Sequence, residues 1–384
     1  MRVLPIIVTV ATIALFGAER PVPVDQWELA THRMNWPAVR SPEVTGHEVV
    51  TMDVEVDTRG RVTSVTALPP HILLPPGRSP QPVPPSPFAE RAIAEMRSRT
   101  YTPFIQNGKA VPATFQDYVF FLPPERLPSV HRPFPEIRDW NTLRIGLKRG
   151  PCFGSCPSYD LEIRGDGTVR FKGGAYVAVT GEHKSSISRE DLEALLDLFR
   201  RADFFSLDSK YSQDNLSDGP TNKVSLAFDR HDVSVVDYYG AAAGMPESVE
   251  NLIRAIDLYG GANKWVRGDE NTVPALKREN FDFHSQEAKV VLAVAARLGD
   301  LKAVQDLVAV GVPLGIAATT LPGNVGPPIR SAVENNDIQV LEFLINAGVS
   351  NNDPAAKRAA LDRAVQLERK DAIALLRKYI SAAK

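Results

Sequence analysis

Cys152 and Cys156 are the only two thiols in this 384-residue chain, and three residues separate them. Three kinds of chemistry use a thiol pair, and the spacing ranks them. A disulfide is the leading expectation, because Gly154 and Pro157 help a turn as tight as Cys152-Phe153-Gly154-Ser155-Cys156 to form. Closing so few residues restrains little of the unfolded chain, so the bond would act mainly on local shape. A redox-active dithiol is the second reading, although redox motifs normally leave two residues between the cysteines. A metal centre is the third, but two thiolates need further ligands and no His pair lies nearby.

Other residue types capable of chemistry are scattered. Asp208, Asp214 and Asp218 occur in a polar stretch around Asn215 and Gly219, too loosely spaced for the alternate carboxylates of a calcium loop. None of the seven His lies in an H-E-x-x-H or H-x-H arrangement suited to zinc. His183 and His231 fall in or beside expected hairpin turns, where an exposed polar residue is the plain reading. There is no G-x-S-x-G elbow, and Gly173-Gly174 and Gly260-Gly261 lack the strand-to-helix context that cradles phosphate. The expectation is a protein without catalysis, cofactor or metal.

Formal net charge is −2, with acids and bases mixed along the chain, which argues against a nucleic-acid partner. The first residues carry one Arg, an apolar run from Val3 to Phe16 and small residues near its end. Residues 1–18 therefore read as a secretory signal peptide, and an uncleaved N-terminal anchor is the alternative. No later stretch is apolar for long enough to span a membrane. The mature chain is expected to be soluble in the periplasm of a Gram-negative bacterium.

The elements that must position the cysteines lie in residues 141–266. Thr142 to Leu147 and Tyr159 to Ile163 have strand patterns on either side of the cysteine turn. Arg164-Gly165-Asp166-Gly167 signals a hairpin that returns through Thr168 to Lys172. Ser188 with Asp191 opens a helix whose Leu192, Leu195, Leu196 and Phe199 form one apolar stripe. Val224 to Phe228 and Val233 to Tyr239 are two further strands, and Pro246 to Tyr259 is a last helix closed by Gly260-Gly261. The phrase Cys152-Phe153-Gly154-Ser155-Cys156-Pro157, followed by this strand–turn–strand order, resembles an uncharacterised bacterial exported domain family. That resemblance brings a boundary and no activity.

An earlier module covers residues 25–123, ahead of a linker at 124–140. Val50, Met52, Val54 and Val56 alternate with polar residues, and Asp57-Thr58-Arg59-Gly60 turns the chain into a second strand, Arg61 to Ala67. A short helix, Phe88 to Met96, and a strand at about Thr114 to Leu122 complete a β-turn-β-helix-β order. The phrases Val54-x-Val56-Asp57-x-x-Gly60-x-Val62, Ala89-x-x-Ala92 and Tyr101-x-Pro103-Phe104-x-x-Asn107-Gly108-Lys109-x-Val111 resemble the C-terminal domain of TonB energy transducers. The resemblance implies a small α+β domain of the cell envelope that pairs with peptides through a sheet edge. A proline-rich insertion, 69–87, departs from that pattern and cannot extend a sheet.

From residue 285 to 384 one helix-pair phrase recurs. Leu292-x-x-Ala295 with Val304-x-x-Leu307 returns as Ile329-x-x-Ala332 with Leu341-x-x-Leu344, and again as Leu361-x-x-Ala364 with Ile373-x-x-Leu376. Offsets of 37 and 32 residues bracket the period of about 33 that marks an ankyrin unit. The phrase Pro327-Pro328-Ile329-Arg330-Ser331-Ala332 also resembles that family's opening. The resemblance implies a stacked helical array with a concave protein-binding surface. Gly323, Asn324, Val325 and Gly326 fall in the longer gap between copies and are candidates for a partner-binding loop.

The expected fold class is therefore two small α+β domains followed by an all-α ankyrin-type helical repeat array. The expected role is a non-enzymatic cell-envelope protein mediating protein–protein interaction. Two alternatives stand beside it. One is a TonB-like energy-transducing component with an uncleaved anchor; the other is a periplasmic thiol redox protein.

Overall fold

The computed structural model describes residues 21–24, 29, 38–69, 84–106, 109–154, 156–214, 216–298, 301–314, 326–348 and 354–382. The expected signal segment, most of the proline-rich insertion and Gly323 to Val325 lie outside them. Internal contacts divide the chain into two units, residues 1–36 with 50–119 and residues 37–49 with 120–384.

The first sheet is built from β1 (Val22–Pro23), β2 (Val39–Arg40), β3 (Glu48–Val56), β4 (Val62–Ala67) and, later, β7 (Ala113–Leu122). Between them come α1 (Ala89–Ser98) and the small hairpin β5 (Phe104–Gln106) and β6 (Lys109–Val111). The strand order is β1-β7-β3-β4, with β2 also pairing on β7. Val50, Met52, Val54 and Val56 are all buried, so the alternation along β3 puts one whole set of side chains into the core. In the following turn the Asp57 carboxylate accepts from the Arg59 and Arg61 amides, which together with the Arg61 side chain lower its pKa. Gly60 takes φ +76°, and a Cβ there would stand 2.0 Å from the Tyr101 carbonyl oxygen. Only glycine meets both conditions.

The second unit centres on a seven-stranded sheet. Its strands are β8 (Arg144–Arg149), β9 (Tyr159–Arg164), β10 (Thr168–Gly173), β11 (Gly181–Ser186), β12 (Lys210–Ser212), β13 (Thr221–Phe228) and β14 (His231–Tyr238). They lie in the order β11-β10-β9-β8-β13-β14-β12, antiparallel except for β12 on β14. Helices α2 (Arg189–Arg201) and α3 (Glu247–Tyr259) bury their apolar stripes with one face of the sheet. The Ser188 hydroxyl caps α2 by accepting from the Asp191 amide at 3.0 Å. The expected linker, 124–140, is held to this module through several of its backbone amides. The Arg126 amide donates to Gly244, the Arg132 amide donates to Ser206, and the Arg138 and Asp139 amides donate to the Asp229 carboxylate.

The C-terminal part is helical. Short helices α4 (Asn263–Val266) and α5 (Thr272–Arg278) precede three helix pairs. The pairs are α6 (Gln286–Leu298) with α7 (Leu301–Ala309), α8 (Pro328–Glu334) with α9 (Ile338–Asn346), and α10 (Pro354–Gln366) with α11 (Lys370–Ala382). First helices pack on first helices, α6 on α8 on α10, and second helices on second, α7 on α9 on α11. Gly311 and Gly348 end the first two pairs with φ of +88° and +85°. Asp337 caps α9 by accepting from the Val340 amide. Glu334 ties the first-helix layer, sharing its carboxylate among Arg297, Arg330 and Arg363 from all three first helices.

Sheet and helices share one core. A continuous cluster of buried side chains runs from Leu143 to Leu376. Trp265, fully buried in α4, sits at the join, where the Val179 amide donates to its carbonyl and the His183 ring stacks on its indole at 4.8 Å. Helix α5 packs on α7, carrying the helical layer back toward the sheet.

Candidate functional site

Strands β8 and β9 are neighbours, and the loop joining their ends carries both cysteines. Cys152 and Cys156 are bonded, with Cα atoms 5.6 Å apart. The base of the loop is stitched down on two sides. The Gly150 amide donates to the Thr221 carbonyl at 2.7 Å, and the Phe153 amide donates to the Asp218 carbonyl at 3.1 Å. The Ser158 amide donates to the Ala175 carbonyl, and the Ser158 hydroxyl accepts from the Ala175 amide. Within this loop Phe153 is 89% exposed.

Beside the loop is a cleft of about 490 Å³. Cys156 and Pro157 form one lip, Leu258 and Asn263 another, and Arg149, Tyr159 and Asp257 the polar wall. Arg149 and Tyr159 are directly paired across β8 and β9, and Asp257 comes down from α3. The Tyr159 hydroxyl donates to Asp257 Oδ1 at 2.7 Å, while Arg149 donates to Oδ2 through both Nε and Nη2. Burial opposes the Arg149 charge, but Asp257 and then Tyr159 outweigh it and hold its pKa above the usual arginine value. Burial, and then the negative charge of Asp257, push the Tyr159 phenol well above its ordinary value. At neutral pH the trio is therefore a protonated phenol and a saturated ion pair. Its chemistry is that of fixed hydrogen-bond geometry behind an apolar mouth, where Leu258 is 77% exposed.

The other residues singled out from the sequence do not join this cleft. Asp208 pairs with Arg126, Asp214 with Ser212 and Lys210, and Asp218 with the Ser217 hydroxyl. Among the described residues no group of three or more His, Cys, Asp or Glu stands close enough to hold a metal ion. His231 is exposed at the start of β14, as expected. His183 is not: it lies inside β11, 9% exposed, rather than in an open turn. Its ring nitrogens meet Glu279 at 2.6 Å and the Thr180 carbonyl at 2.9 Å, so an apolar pocket against Trp265 accepts a polar ring. Of the proposed partner loop, Gly323, Asn324 and Val325 fall outside the described residues. Gly326 lies just before α8, where its carbonyl accepts from the Ser331 hydroxyl.

Arg149, Tyr159 and Asp257 were not singled out from the sequence. Asp257 is 108 residues from Arg149 and 98 from Tyr159, and only the β8–β9 register and the pitch of α3 bring them together. The available signal was an Asp set directly after the buried stripe Leu252, Ile253 and Ile256.

Residues 143–259 match a family described as a domain of unknown function, DUF6438. The matched stretch contains Arg149, the cystine loop, Tyr159 and Asp257. No curated protein matches the chain.

Proposed function

We propose that this chain is an exported, periplasmic cell-envelope protein that binds another protein and catalyses no reaction, with the cystine loop as a principal contact. The observation that carries the reading is Phe153. A large aromatic side chain, 89% exposed, stands in a bonded loop whose Cys156 and Pro157 line a cleft with an apolar mouth. An exposed aromatic in a floppy loop is ordered only on binding and loses much of its contact energy to that ordering. In a loop already fixed, little of this cost remains. Burying one phenylalanine side chain contributes about 1.5–3 kcal/mol, enough to make it an interface anchor.

Two further modules frame the reading. The residues of the first unit that resemble a TonB C-terminal domain form a sheet in which β4 is a terminal strand, and such an edge suits pairing with a peptide. The two-layer stacking of helix pairs, with glycines of positive φ at matching ends, supports an ankyrin-type array across 285–384. The cystine supports export, since such bonds persist in oxidising compartments.

The test is capture from a bacterial envelope extract with the full chain and with Phe153→Ala. The expected result is a stoichiometric partner retained by the native chain and bound roughly tenfold or more weakly by the variant. Equal retention by both would remove the loop from the account.

A further inference from the structure

The second face of the seven-stranded sheet, opposite α2 and α3, exposes Lys148, Arg170, Lys184 and Lys223. We propose that it is a docking surface for an acidic peptide segment of a partner protein, distinct from the cystine loop and independent of it. A basin of about 650 Å³ lies on this face, lined by seven basic and four acidic side chains, although the chain as a whole has a net charge of −2.

The register makes the surplus informative. Arg170 stands directly opposite Lys184, Lys148 opposite Lys223, and Arg144 opposite Arg164. Directly opposed like charges destabilise a sheet, and here three such cation pairs share one face. Carboxylates neutralise part of this: Asp160 pairs with Lys148, and Glu162 pairs with Arg164 while standing opposite Arg170 on the neighbouring strand. Arg170, Lys184 and Lys223 form no ion pair among the described residues. At the centre of the basin the floor is small, with Gly146 against Ser225 and Ala227 beside them, so the long basic side chains stand around a hollow. Opposite charges also face each other on this face, Lys172 with Glu182 and Asp160, and Lys148 with Asp160, and the three cation pairs stand among them. The opposed cations are relieved when carboxylates from outside enter the hollow.

The occupant is narrowed by the acids on the same face. Asp160, Glu162, Glu182 and Asp232 would repel a uniform polyanion such as nucleic acid, or a plane of anionic lipid. A peptide can set its carboxylates against Arg170, Lys184 and Lys223 and leave uncharged residues against the four acids. The volume of the hollow also suits a short segment rather than an extended polymer.

The test uses the full chain and a fluorescein-labelled peptide of alternating Glu and Ser, read by anisotropy at low and at physiological salt. The native chain is expected to bind it, more weakly as salt rises. The double variant Lys184→Glu and Lys223→Glu is expected to lose roughly tenfold or more in affinity. Because each substitution sets a Glu opposite a cation, Arg170 or Lys148, the variant is also expected to melt no lower than the native chain, which separates lost binding from lost folding. Phe153→Ala should bind the peptide as the native chain does; a loss there would overturn the independence of the two surfaces. Equal binding by the double variant and the native chain, or no binding by either, overturns the proposal. Variant-sensitive binding to phosphatidylglycerol vesicles or to inorganic polyphosphate without binding to the peptide overturns it too.

Discussion

The sheet module and the helical region of the second unit are stabilised in different ways. In the sheet module most instructions are local. Each strand of β8 to β10 alternates buried and exposed residues, Gly167 turns the hairpin, and Ser188 caps its own helix. In the helical region each pair leaves an apolar side that only its neighbours cover, and the first pair is covered in part by α5 and the join at Trp265. One region carries its own core, and the other extends a core that begins elsewhere. This fits a helical array of three pairs, which is short for independent stability.

Severing the join gives the largest expected effect. A fragment beginning after Trp265 should show no cooperative thermal transition, because the cluster from Leu143 to Leu376 is cut through. A sharp melt of that fragment would erase the contrast between the two regions. A smaller effect tests the tie within the helical layer. Glu334→Gln, which leaves Arg297, Arg330 and Arg363 without their shared carboxylate, should cost about 2–3 kcal/mol in denaturant unfolding. A loss within about 0.5 kcal/mol would mean that the three first helices hold together by apolar contact alone.

The smallest effect belongs to the cleft and depends on pH. Tyr159→Phe should cost about 1–2 kcal/mol at neutral pH through the lost hydrogen bond to Asp257. The phenol is raised above its ordinary value of 10.0 in the folded chain, so the unfolded chain releases this proton first. The stability it contributes is complete below about pH 10 and is lost as pH climbs from there toward the folded value. The native chain and the variant should therefore converge in stability above about pH 10. A gap that stays constant across that range would contradict the assigned coupling of Tyr159 to Asp257.

The same contrast explains what the sequence made legible. Alternation along Val50 to Val56 and the stripe Leu192, Leu195, Leu196 and Phe199 show in the sequence because burial follows a local period. The cystine is legible because two cysteines in a short loop have few alternatives. Strand β11 is not, since Gly181-Glu182-His183-Lys184-Ser185-Ser186 has no aliphatic side chain and buries only a histidine. Helix α5 falls between the two ranges assigned from the sequence, 141–266 and 285–384, because its burial is set by surfaces on both sides of it. The polar trio of the cleft and the opposed cations of the second face are products of register. No local spacing encodes Arg149 beside Asp257, or Lys148 beside Lys223.

The central claim is that the cystine loop touches a protein partner through Phe153. The most direct measurement replaces Phe153 with a photoreactive benzoylphenylalanine in the full chain and illuminates living bacteria. The account predicts one dominant cross-linked protein that is absent when the photoreactive residue is placed instead at Leu127, which is 70% exposed. No cross-link at position 153, or the same faint spread of products from both positions, would contradict it.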